Sequence, residues 1–404
     1  MRELPPMRVI APALRTTTEL LAAELGAAGA TAPEWSEFEW TVARAVAAMQ
    51  GISTLLANRL RWQGPPEWRE FLQRQRQHSV RRDGQIAELL ARLDARLAAA
   101  GIGAVALKGA SLRKLGVYAP GERPMSDIDL LIAPADKHAV EAAVLALGYH
   151  HAHASRRHTC YEPAARREVR EFGEHESCPI KVEVHEHVAE PLPASSVDIT
   201  AALAPLRREP GLNFYRSGQA LFLHLLLHAA GNMRSHTLRL VQLHDLSVLA
   251  PRFGPAAWEE MSAGGAQAWW WYPPLALCAR YFRGAVPAEL LRKARHACPL
   301  QLRYFADRWR LSTVSWSNPR TSALPGVQWA RSLLEVLRFA RSRALPDAAT
   351  RAALEYAMAS MPQLAGIPWY GLSQRRRILA WLTARAPRVQ TLSSIRAALV
   401  SSTP

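Results

Sequence analysis

The apolar residues of the first hundred positions recur with the spacing of an amphipathic helix. Ser36 and Glu39 have the spacing of a capping box, which predicts a helix over residues 40–49. A second apolar stripe ends before Gly101, a residue type that commonly follows the last turn of a helix. The members of this stripe are Ile86, Leu89, Leu90, Leu93 and Leu97. The pattern predicts a helical N-terminal region over residues 1–100.

Near residue 101 the helical period gives way to short apolar runs bounded by glycine and proline. This change is typical of strands that alternate with helices. We expect strands at residues 105–107, 127–132 and 180–188, and helices at residues 111–117 and 134–147. Beyond residue 200 the helical period returns. The pattern therefore predicts three parts: a helical region over residues 1–100, an α/β core over 101–190 and a helical region over 191–404.

Composition indicates a globular protein with room for two or three packed units. The chain has 404 residues, of which 49% are hydrophobic and 21% charged. No apolar run approaches the roughly 20 residues that a membrane-spanning helix requires, and the N-terminus lacks a signal-peptide pattern. Four scattered cysteines are typical of free thiols and not of a disulfide scaffold. A cytoplasmic protein is predicted.

The net charge of +16 invites an interpretation as a nucleic-acid-binding protein. However, only five residues are lysine, and the abundance of arginine and alanine indicates a compositional bias of the genome. The charge is thus weak evidence for an RNA partner and better evidence for tolerance of polyphosphate ligands. A tryptophan-rich segment lies at residues 269–271 and is most simply explained by core packing. A basic stretch lies at residues 374–388 and is typical of a solvated amphipathic helix.

Asp127 and Asp129 are the strongest chemical signal in the chain. In a strand they project to the same face, whereas Ile128 and Leu130 face the other side. Two carboxylates on one face repel each other unless a cation lies between them, and Mg²⁺, or Mn²⁺ in its place, prefers such oxygen ligands. The alternative is a chance Asp-x-Asp in a surface loop. The apolar run that follows favours a buried strand, so we predict that both residues are metal ligands and catalytic.

Glu183 supplies a third candidate carboxylate. The segment from Lys181 to His185 alternates, so Lys181, Glu183 and His185 share one face and two valines share the other. Glu183 could meet the aspartate pair across neighbouring strands. An edge strand with one solvated face would also explain the charge. We favour the first interpretation and predict Glu183 as a third catalytic metal ligand.

The segment from Lys108 to Ser111 is the candidate phosphate-binding turn. A glycine after a strand lets backbone amides approach a ligand, and the helix that follows offers its N-terminus to anions. A single glycine at such a turn is a weak signal, and its value comes from its position just before the aspartate pair. The predicted nucleotide-binding residues are Lys108, Gly109, Ser111, Arg123 and Ser126.

Histidines are frequent between residues 150 and 175, which raises the question of zinc. They lie near two cysteines, but the spacing matches no common zinc finger or ribbon. The residues concerned are His150, His151, His153, His158, Cys160, His175 and Cys178. A histidine-rich strand and loop is the favoured interpretation. His224 and His228, one helical turn apart, are interpreted as partly buried helix residues.

The order of these motifs resembles the uncharacterised nucleotidyltransferase family of the polymerase-beta-like superfamily. The motifs that carry the resemblance are Leu107-Lys108-Gly109, Tyr118, Pro120, Arg123, Ser126-Asp127-Ile128-Asp129-Leu130, Leu147-Gly148-Tyr149 and Val182-Glu183-Val184-His185. The match is tightest over residues 101–190 and continues through residues 240–245. Ala110 departs from the usual Gly-Gly or Gly-Ser pair, and Glu183 stands where aspartate is frequent.

This resemblance implies an α/β (α+β) fold: a small mixed sheet with helices on one side, flanked by helical N-terminal and C-terminal regions. It implies that Asp127 and Asp129 hold metals with Glu183 as the third carboxylate. The implied reaction moves a nucleoside monophosphate from a nucleoside triphosphate such as ATP to an acceptor hydroxyl and releases pyrophosphate. The acceptor is open between protein, RNA and small molecule. A glycosyltransferase that uses Asp-x-Asp and a catalytically silent nucleotide- or RNA-binding scaffold remain as alternatives.

Overall fold

The structure is a computed structural model that describes most of the 404 residues. The described residues are 4–155, 157–165, 172–204, 208–263, 265–348, 351, 372–373, 376–377, 379–380 and 385–401. They form two compact units: Met1–Gln73, Pro191–Ser196 and Leu226–Pro404 make the helical unit, and Arg74–Glu190 and Val197–Leu225 make the sheet unit. The division of the chain at residues 100 and 190 remains a prediction.

The described residues contain helices and strands in the following chain order. The helices are α1 Met7–Gly26, α2 Glu37–Met49, α3 Ser53–Arg59, α4 Pro66–Ala99, α5 Lys108–Lys114, α6 Lys137–Leu145, α7 Thr200–Leu203, α8 Gly218–Ser235, α9 Leu240–Leu249, α10 Pro255–Ala263, α11 Tyr272–Tyr281, α12 Ala288–Ala297, α13 Leu300–Ala306, α14 Leu311–Val314, α15 Leu333–Ala344 and α16 Val389–Val400. Short 3-10 helices occupy Pro134–Asp136, Ala250–Arg252, Gly265–Trp270 and Val327–Trp329. The strands are β1 Gly103–Ala106, β2 Asp127–Leu131, β3 Tyr149–Ala154, β4 Thr159–Pro163, β5 Lys181–His185, β6 Ala189–Pro191, β7 Ser196–Asp198, β8 Gly211–Asn213, β9 Arg320–Thr321 and β10 Ala386–Pro387.

The sheet unit contains a six-stranded mixed sheet in the order β3-β4-β5-β2-β1-β8. Strand β2 runs parallel to β5 and β1 runs parallel to β8, whereas the other neighbouring pairs are antiparallel. The predicted fold class is confirmed: a mixed sheet with helical N-terminal and C-terminal regions. The three strands expected from the sequence are β1, β2 and β5. The other three are a hairpin, β3 and β4, and the short edge strand β8.

The two central strands β2 and β5 bury one face and leave the other for polar residues. Their apolar side chains Ile128, Leu130, Val182 and Val184 are at most 5% exposed and belong to one core cluster. The stripe of α4 that the sequence predicted, Ile86, Leu89, Leu93 and Leu97, is buried in the same cluster. Each such side chain contributes about 1.5–3 kcal/mol on burial. Because strand side chains alternate, this packing directs the acidic residues of both strands to the opposite face.

The helical unit bears out two local predictions. The hydroxyl of Ser36 accepts a hydrogen bond from the Glu39 amide and the Glu39 carboxylate accepts one from the Ser36 amide, which is the predicted capping box before α2. The tryptophans at positions 269–271 are at most 8% exposed, so they are core residues.

Part of the basic stretch at 374–388 lies outside the described residues. Over the part of the chain that the structure describes, no helix combines the length and apolar character that crossing a bilayer would require.

Candidate active site

The acidic residues lie at the centre of the sheet, on the face opposite the apolar core. In the parallel ladder between β2 and β5, Asp127 is paired with Lys181 and Asp129 with Glu183. Neighbouring strands are about 4.8 Å apart, so the Asp129 and Glu183 side chains stand next to each other on one face. Asp127 precedes Asp129 by two residues on the same strand and shares that face. Asp129 is only 4% exposed.

The carboxylates of this group have pKa values that are driven in opposite directions. Burial, with the charges of Asp129 and Asp127 as further causes, raises the pKa of Glu183 to about 8. Burial alone would also raise the pKa of Asp129, but Lys108 and His185 hold it well below its ordinary value. Two adjacent carboxyl groups with widely separated pKa values are a common feature of catalytic sites.

Lys108 provides the positive charge closest to this group. Its ammonium Nζ lies 2.7 Å from Asp129 Oδ1. Burial lowers the pKa of Lys108, yet the charges of Asp129 and Asp127 raise it above its ordinary value on balance. The residue has a φ of 44°, a left-handed conformation that costs a non-glycine residue roughly 1–2 kcal/mol. This cost indicates that the surrounding structure fixes the lysine at this point of the turn.

Tyr215 and His224 hold the backbone of that strained turn. The amide of Lys108 donates a hydrogen bond to Tyr215 Oη at 2.9 Å, and the same oxygen lies 2.6 Å from His224 Nδ1. Burial lowers the pKa of His224 well below its ordinary value, so the ring is neutral. The phenol hydrogen then donates to Nδ1. His224, interpreted from the sequence as partly buried, is 4% exposed. No motif in the sequence points to Tyr215.

Two histidines lie beside Glu183 on the same side of the carboxylate group. His185 Nε2 is 2.9 Å from Asp129 Oδ1 and 3.9 Å from Glu183 Oε2. His158 Nδ1 is 3.7 Å from the same glutamate oxygen. Burial, assisted by the charge of His185, lowers the pKa of His158 to about 3, so that imidazole is neutral near pH 7. His185 shares the predicted face of Glu183, whereas His158 comes from the turn between β3 and β4.

A cavity of about 250 Å³ is lined in part by Gly109, the residue after Lys108. Its walls come from α4, α5 and the loop between α5 and β2, and they combine two arginines with apolar side chains. The lining residues are Asp83, Gly109, Leu112, Arg113, Gly116, Tyr118, Ala119, Pro120, Arg123 and Met125. Arg113 is held by Asp83 through two hydrogen bonds of 3.0 and 3.1 Å. The guanidinium of Arg123 lies over Gly109, where a Cβ would come within 3.1 Å of Nη1.

A comparison with known protein families found one matching family model, described as an uncharacterised nucleotidyltransferase, over residues 36–283. The chain belongs to this uncharacterised nucleotidyltransferase family. The matched range includes every residue of the site described above. Membership in a nucleotidyltransferase family supports a transferase activity and implies a nucleotide substrate. No curated protein and no solved structure matched the chain in the same comparisons.

Six of the eight residues predicted for nucleotidyl transfer lie in the acidic group or in the wall of the cavity. Lys108 lies with the three acidic residues, and Gly109 and Arg123 line the cavity. Ser126 is exposed at the start of β2, where its carbonyl accepts a hydrogen bond from the Lys181 amide at 3.1 Å.

Ser111 is placed apart from both groups. It is 2% exposed, and its hydroxyl donates a 2.7 Å hydrogen bond to the carbonyl of Ala106 at the end of β1. A phosphate contact through this hydroxyl would require the bond to break. The serine therefore stabilises the packing of α5 against β1. Neither its burial nor its hydrogen bond supports the predicted contact with a nucleotide.

Proposed function

We propose that the protein transfers a nucleoside monophosphate from a nucleoside triphosphate to an acceptor hydroxyl and releases pyrophosphate. The observation that carries the proposal is the lateral pairing of Asp129 with Glu183, next to Asp127, on the polar face of the sheet. Three acidic groups are concentrated on this face, and carboxylates placed side by side are typical ligands of a divalent cation. Family membership supports the transferase class independently.

The donor atoms fit a divalent cation, with Mg²⁺ as the first candidate and Mn²⁺ as the second. Carboxylate oxygens are hard ligands, and a dication would stabilise the ionised form of Glu183, whose pKa burial and the charges of Asp129 and Asp127 raise to about 8. Asp127, Asp129 and Glu183 would hold it. When bound, such a cation neutralises phosphate oxygens and helps a hydroxyl to lose its proton.

Lys108 would exchange its partner if a cation were bound through the same oxygen of Asp129. Its ammonium lies 2.7 Å from Asp129 Oδ1, so a cation on Asp129 competes with it. An ammonium released from the aspartate can pair with a phosphate oxygen of the triphosphate, as a point charge on a flexible stem. Tyr215 keeps the backbone of Lys108 in place during this exchange because its hydrogen bond is to the amide and not to the side chain.

The nucleotide would enter from the side of Gly109. The cavity there offers Arg123 and Arg113 to negative charge and Leu112, Tyr118 and Met125 to a flat apolar ring. In the reaction, a bond forms between the acceptor oxygen and the α-phosphorus, and the bond from that phosphorus to the bridging oxygen breaks. Pyrophosphate leaves with the electron pair, and the hydroxyl proton is released.

The experiment is a label-transfer assay. The full chain is incubated with each α-labelled nucleoside triphosphate, Mg²⁺ and a cell extract, alongside the variant Asp127→Ala and the control Glu88→Gln. Glu88 is an exposed carboxylate of α4 in the same unit. We expect label transfer with wild type and the control and its loss with Asp127→Ala or with a chelator. Digestion of the labelled product with protease or ribonuclease then assigns the acceptor class.

Two outcomes would contradict the proposal. Transfer of sugar from a labelled nucleotide-sugar, with none from triphosphates, would favour a glycosyltransferase. Binding of triphosphates with equal affinity by wild type and Asp127→Ala, with no transfer from any of them, would favour a catalytically silent scaffold.

A further inference from the structure

Two imidazoles and a carboxylate meet at one point beside the proposed magnesium site. The possible ligand atoms of His158, Glu183 and His185 all lie within 4.8 Å of one another. Their side chains are 18%, 18% and 11% exposed, so the group is mostly withdrawn from solvent. Each comes from a different position in the sheet: His158 precedes β4, and the other two lie on β5.

The distances within this group are too long for direct hydrogen bonds. His158 Nδ1 and His185 Nε2 are 3.7 and 3.9 Å from Glu183 Oε2, beyond the 2.7–3.2 Å of ordinary hydrogen bonds. Ligands bound at about 2.0–2.2 Å to one tetrahedral ion are roughly 3.3–3.5 Å apart. A contraction of about half an ångström or less would bring each of the two distances to Glu183 to this separation. The nitrogens of His158 and His185 lie within 4.8 Å of each other, so closing the group around an ion also requires the two imidazoles to approach.

A fourth ligand is within reach. Asp129 Oδ1 lies 2.9 Å from His185 Nε2, a separation that two adjacent ligands of one ion can adopt. An ion on that nitrogen would take the place of the proton that now lies between the histidine and the aspartate. The Lys108 ammonium touches Asp129, which is not one of the three core ligands. Binding by those three ligands therefore does not require the lysine to leave.

From this geometry we infer that His158, Glu183 and His185 form a binding site for a first-row transition-metal dication, of the class of Zn²⁺ or Co²⁺. Imidazole nitrogen selects these ions over Mg²⁺, which prefers oxygen ligands only. The site is distinct in ligand type from the proposed carboxylate site, although it shares Glu183. It would give the protein a second kind of cation beside the nucleotide. The inference does not depend on transferase activity.

This site also revises the interpretation of the histidine-rich segment. The spacing within residues 150–178 matches no common zinc site and favours a histidine-rich strand and loop. The structure bears out the strand and the turn, but it directs His158 towards β5, whose Glu183 and His185 lie outside the segment. Among the described residues, the other histidines and the cysteines of the segment are not members of this group.

The test is a direct metal-binding titration of the full chain after chelator treatment and dialysis. Co²⁺ is added first, because its visible absorption bands report nitrogen ligands and coordination number, and Zn²⁺ or excess Mg²⁺ is then used to displace it. The variants are His158→Gln, His185→Gln and the control His150→Gln, an exposed histidine of β3. Asp127→Asn tests the carboxylate site separately. Circular dichroism establishes that each variant is folded.

We expect one Co²⁺ per chain with an absorbing, nitrogen-ligated spectrum that Zn²⁺ displaces and Mg²⁺ does not. Each of the two histidine variants should weaken binding by about 100-fold, whereas His150→Gln and Asp127→Asn should leave it within about threefold. Wild-type Co²⁺ affinity in folded His158→Gln, or displacement by Mg²⁺ at similar concentration, would overturn the inference. Loss of label transfer in Asp127→Asn with retained Co²⁺ binding would separate this site from the proposed function.

Discussion

Both units of the protein bury polar side chains, and they do so in different ways. In the helical unit, Gln50 is fully buried and its amide donates to the hydroxyls of Ser315 and Ser317 at 3.1 and 2.9 Å. Its oxygen accepts from the Leu240 amide at 2.8 Å, and Thr18 donates to Ser317 at 2.7 Å. Every member of this network is neutral. At the centre of the sheet unit the polar group is ionisable instead: Asp127, Asp129 and Glu183 share one face, and the Lys108 ammonium lies 2.7 Å from Asp129 Oδ1.

The two cases differ in what the buried polar residues do. The neutral network stabilises the fold, whereas the acidic group is suited to binding a ligand. Neutral groups that satisfy one another's hydrogen bonds cost little on burial. Burial raises the pKa of Glu183, with the charges of Asp129 and Asp127 as further causes, and an ionised Glu183 therefore weakens the folded state. Such a cost persists where a bound ligand compensates for it. The comparison therefore predicts opposite consequences for substitutions that remove the polar group in each region.

The largest expected effect is on activity, from Glu183→Gln in the sheet unit. The substitution keeps the size of the side chain but removes one charge from the proposed metal ligands. Label transfer should fall on the order of 1,000-fold, equivalent to about 4 kcal/mol of transition-state stabilisation. Steady-state assays with Mg²⁺ measure it, with Glu88→Gln as the matched control. A Glu183→Gln enzyme within tenfold of wild type would remove this residue from the catalytic group.

The second effect is on stability, from Gln50→Ala in the helical unit. Removing the amide leaves the Leu240 N–H and two serine hydroxyls without their partner in a buried place, and it leaves a cavity. We expect a loss of about 3 kcal/mol in the free energy of unfolding, similar at all pH values between 5 and 9. Urea unfolding measures it. The exposed Gln73→Ala serves as control, and a pH-dependent loss would contradict the assignment of a neutral network.

A third effect concerns the pH dependence of metal-free stability. Glu183 has a folded-state pKa of about 8 against an ordinary value of 4.5. Its contribution to stability is fully present below pH 4.5, and it is lost as the pH rises through about 8. The melting temperature of chelator-treated wild type should thus fall by a few degrees between pH 5 and pH 8.5 more than that of Glu183→Gln. Parallel curves for the two proteins would contradict a raised pKa of Glu183 in the folded state.

The strands that carry the acidic residues were predictable because apolar and polar residues alternate along them. In β2 and β5 a valine, leucine or isoleucine stands at every second position, and that pattern defines both the strand and its polar face. The predicted range 127–132 extends one residue beyond the end of β2. The predicted range 180–188 starts one residue before β5 and ends three residues after it. The pairing of Asp129 with Glu183 follows from a parallel register between segments 54 residues apart, and alternation alone contains no information on register.

The residues that the sequence did not bring forward lie where local pattern is weakest. Strand β8 has three residues, Gly211–Asn213, too few to show a period, and Tyr215 lies two residues beyond its end. His158 lies in a turn, and its approach to His185 depends on β4 pairing antiparallel with β5. Ser111 shows the reverse case. Its motif position was predicted, but the direction of its hydroxyl depends on a packing contact with Ala106 that no motif encodes.

The smallest expected effect tests the boundary between the charged group and the cavity. A Cβ at Gly109 would come within 2.9 Å of the Met125 methyl group and 3.1 Å of Arg123 Nη1, which are the ends of flexible side chains. Gly109→Ala should therefore fold with a melting temperature close to that of wild type and displace the two side chains into the cavity. If the nucleotide binds there, its KM should rise about threefold to tenfold, or roughly 1 kcal/mol, with kcat little changed. Leu115→Ala, at an exposed position just after α5, is the control for general effects on this helix. An unchanged KM in Gly109→Ala would place the nucleotide elsewhere and leave the acidic group as the whole of the site.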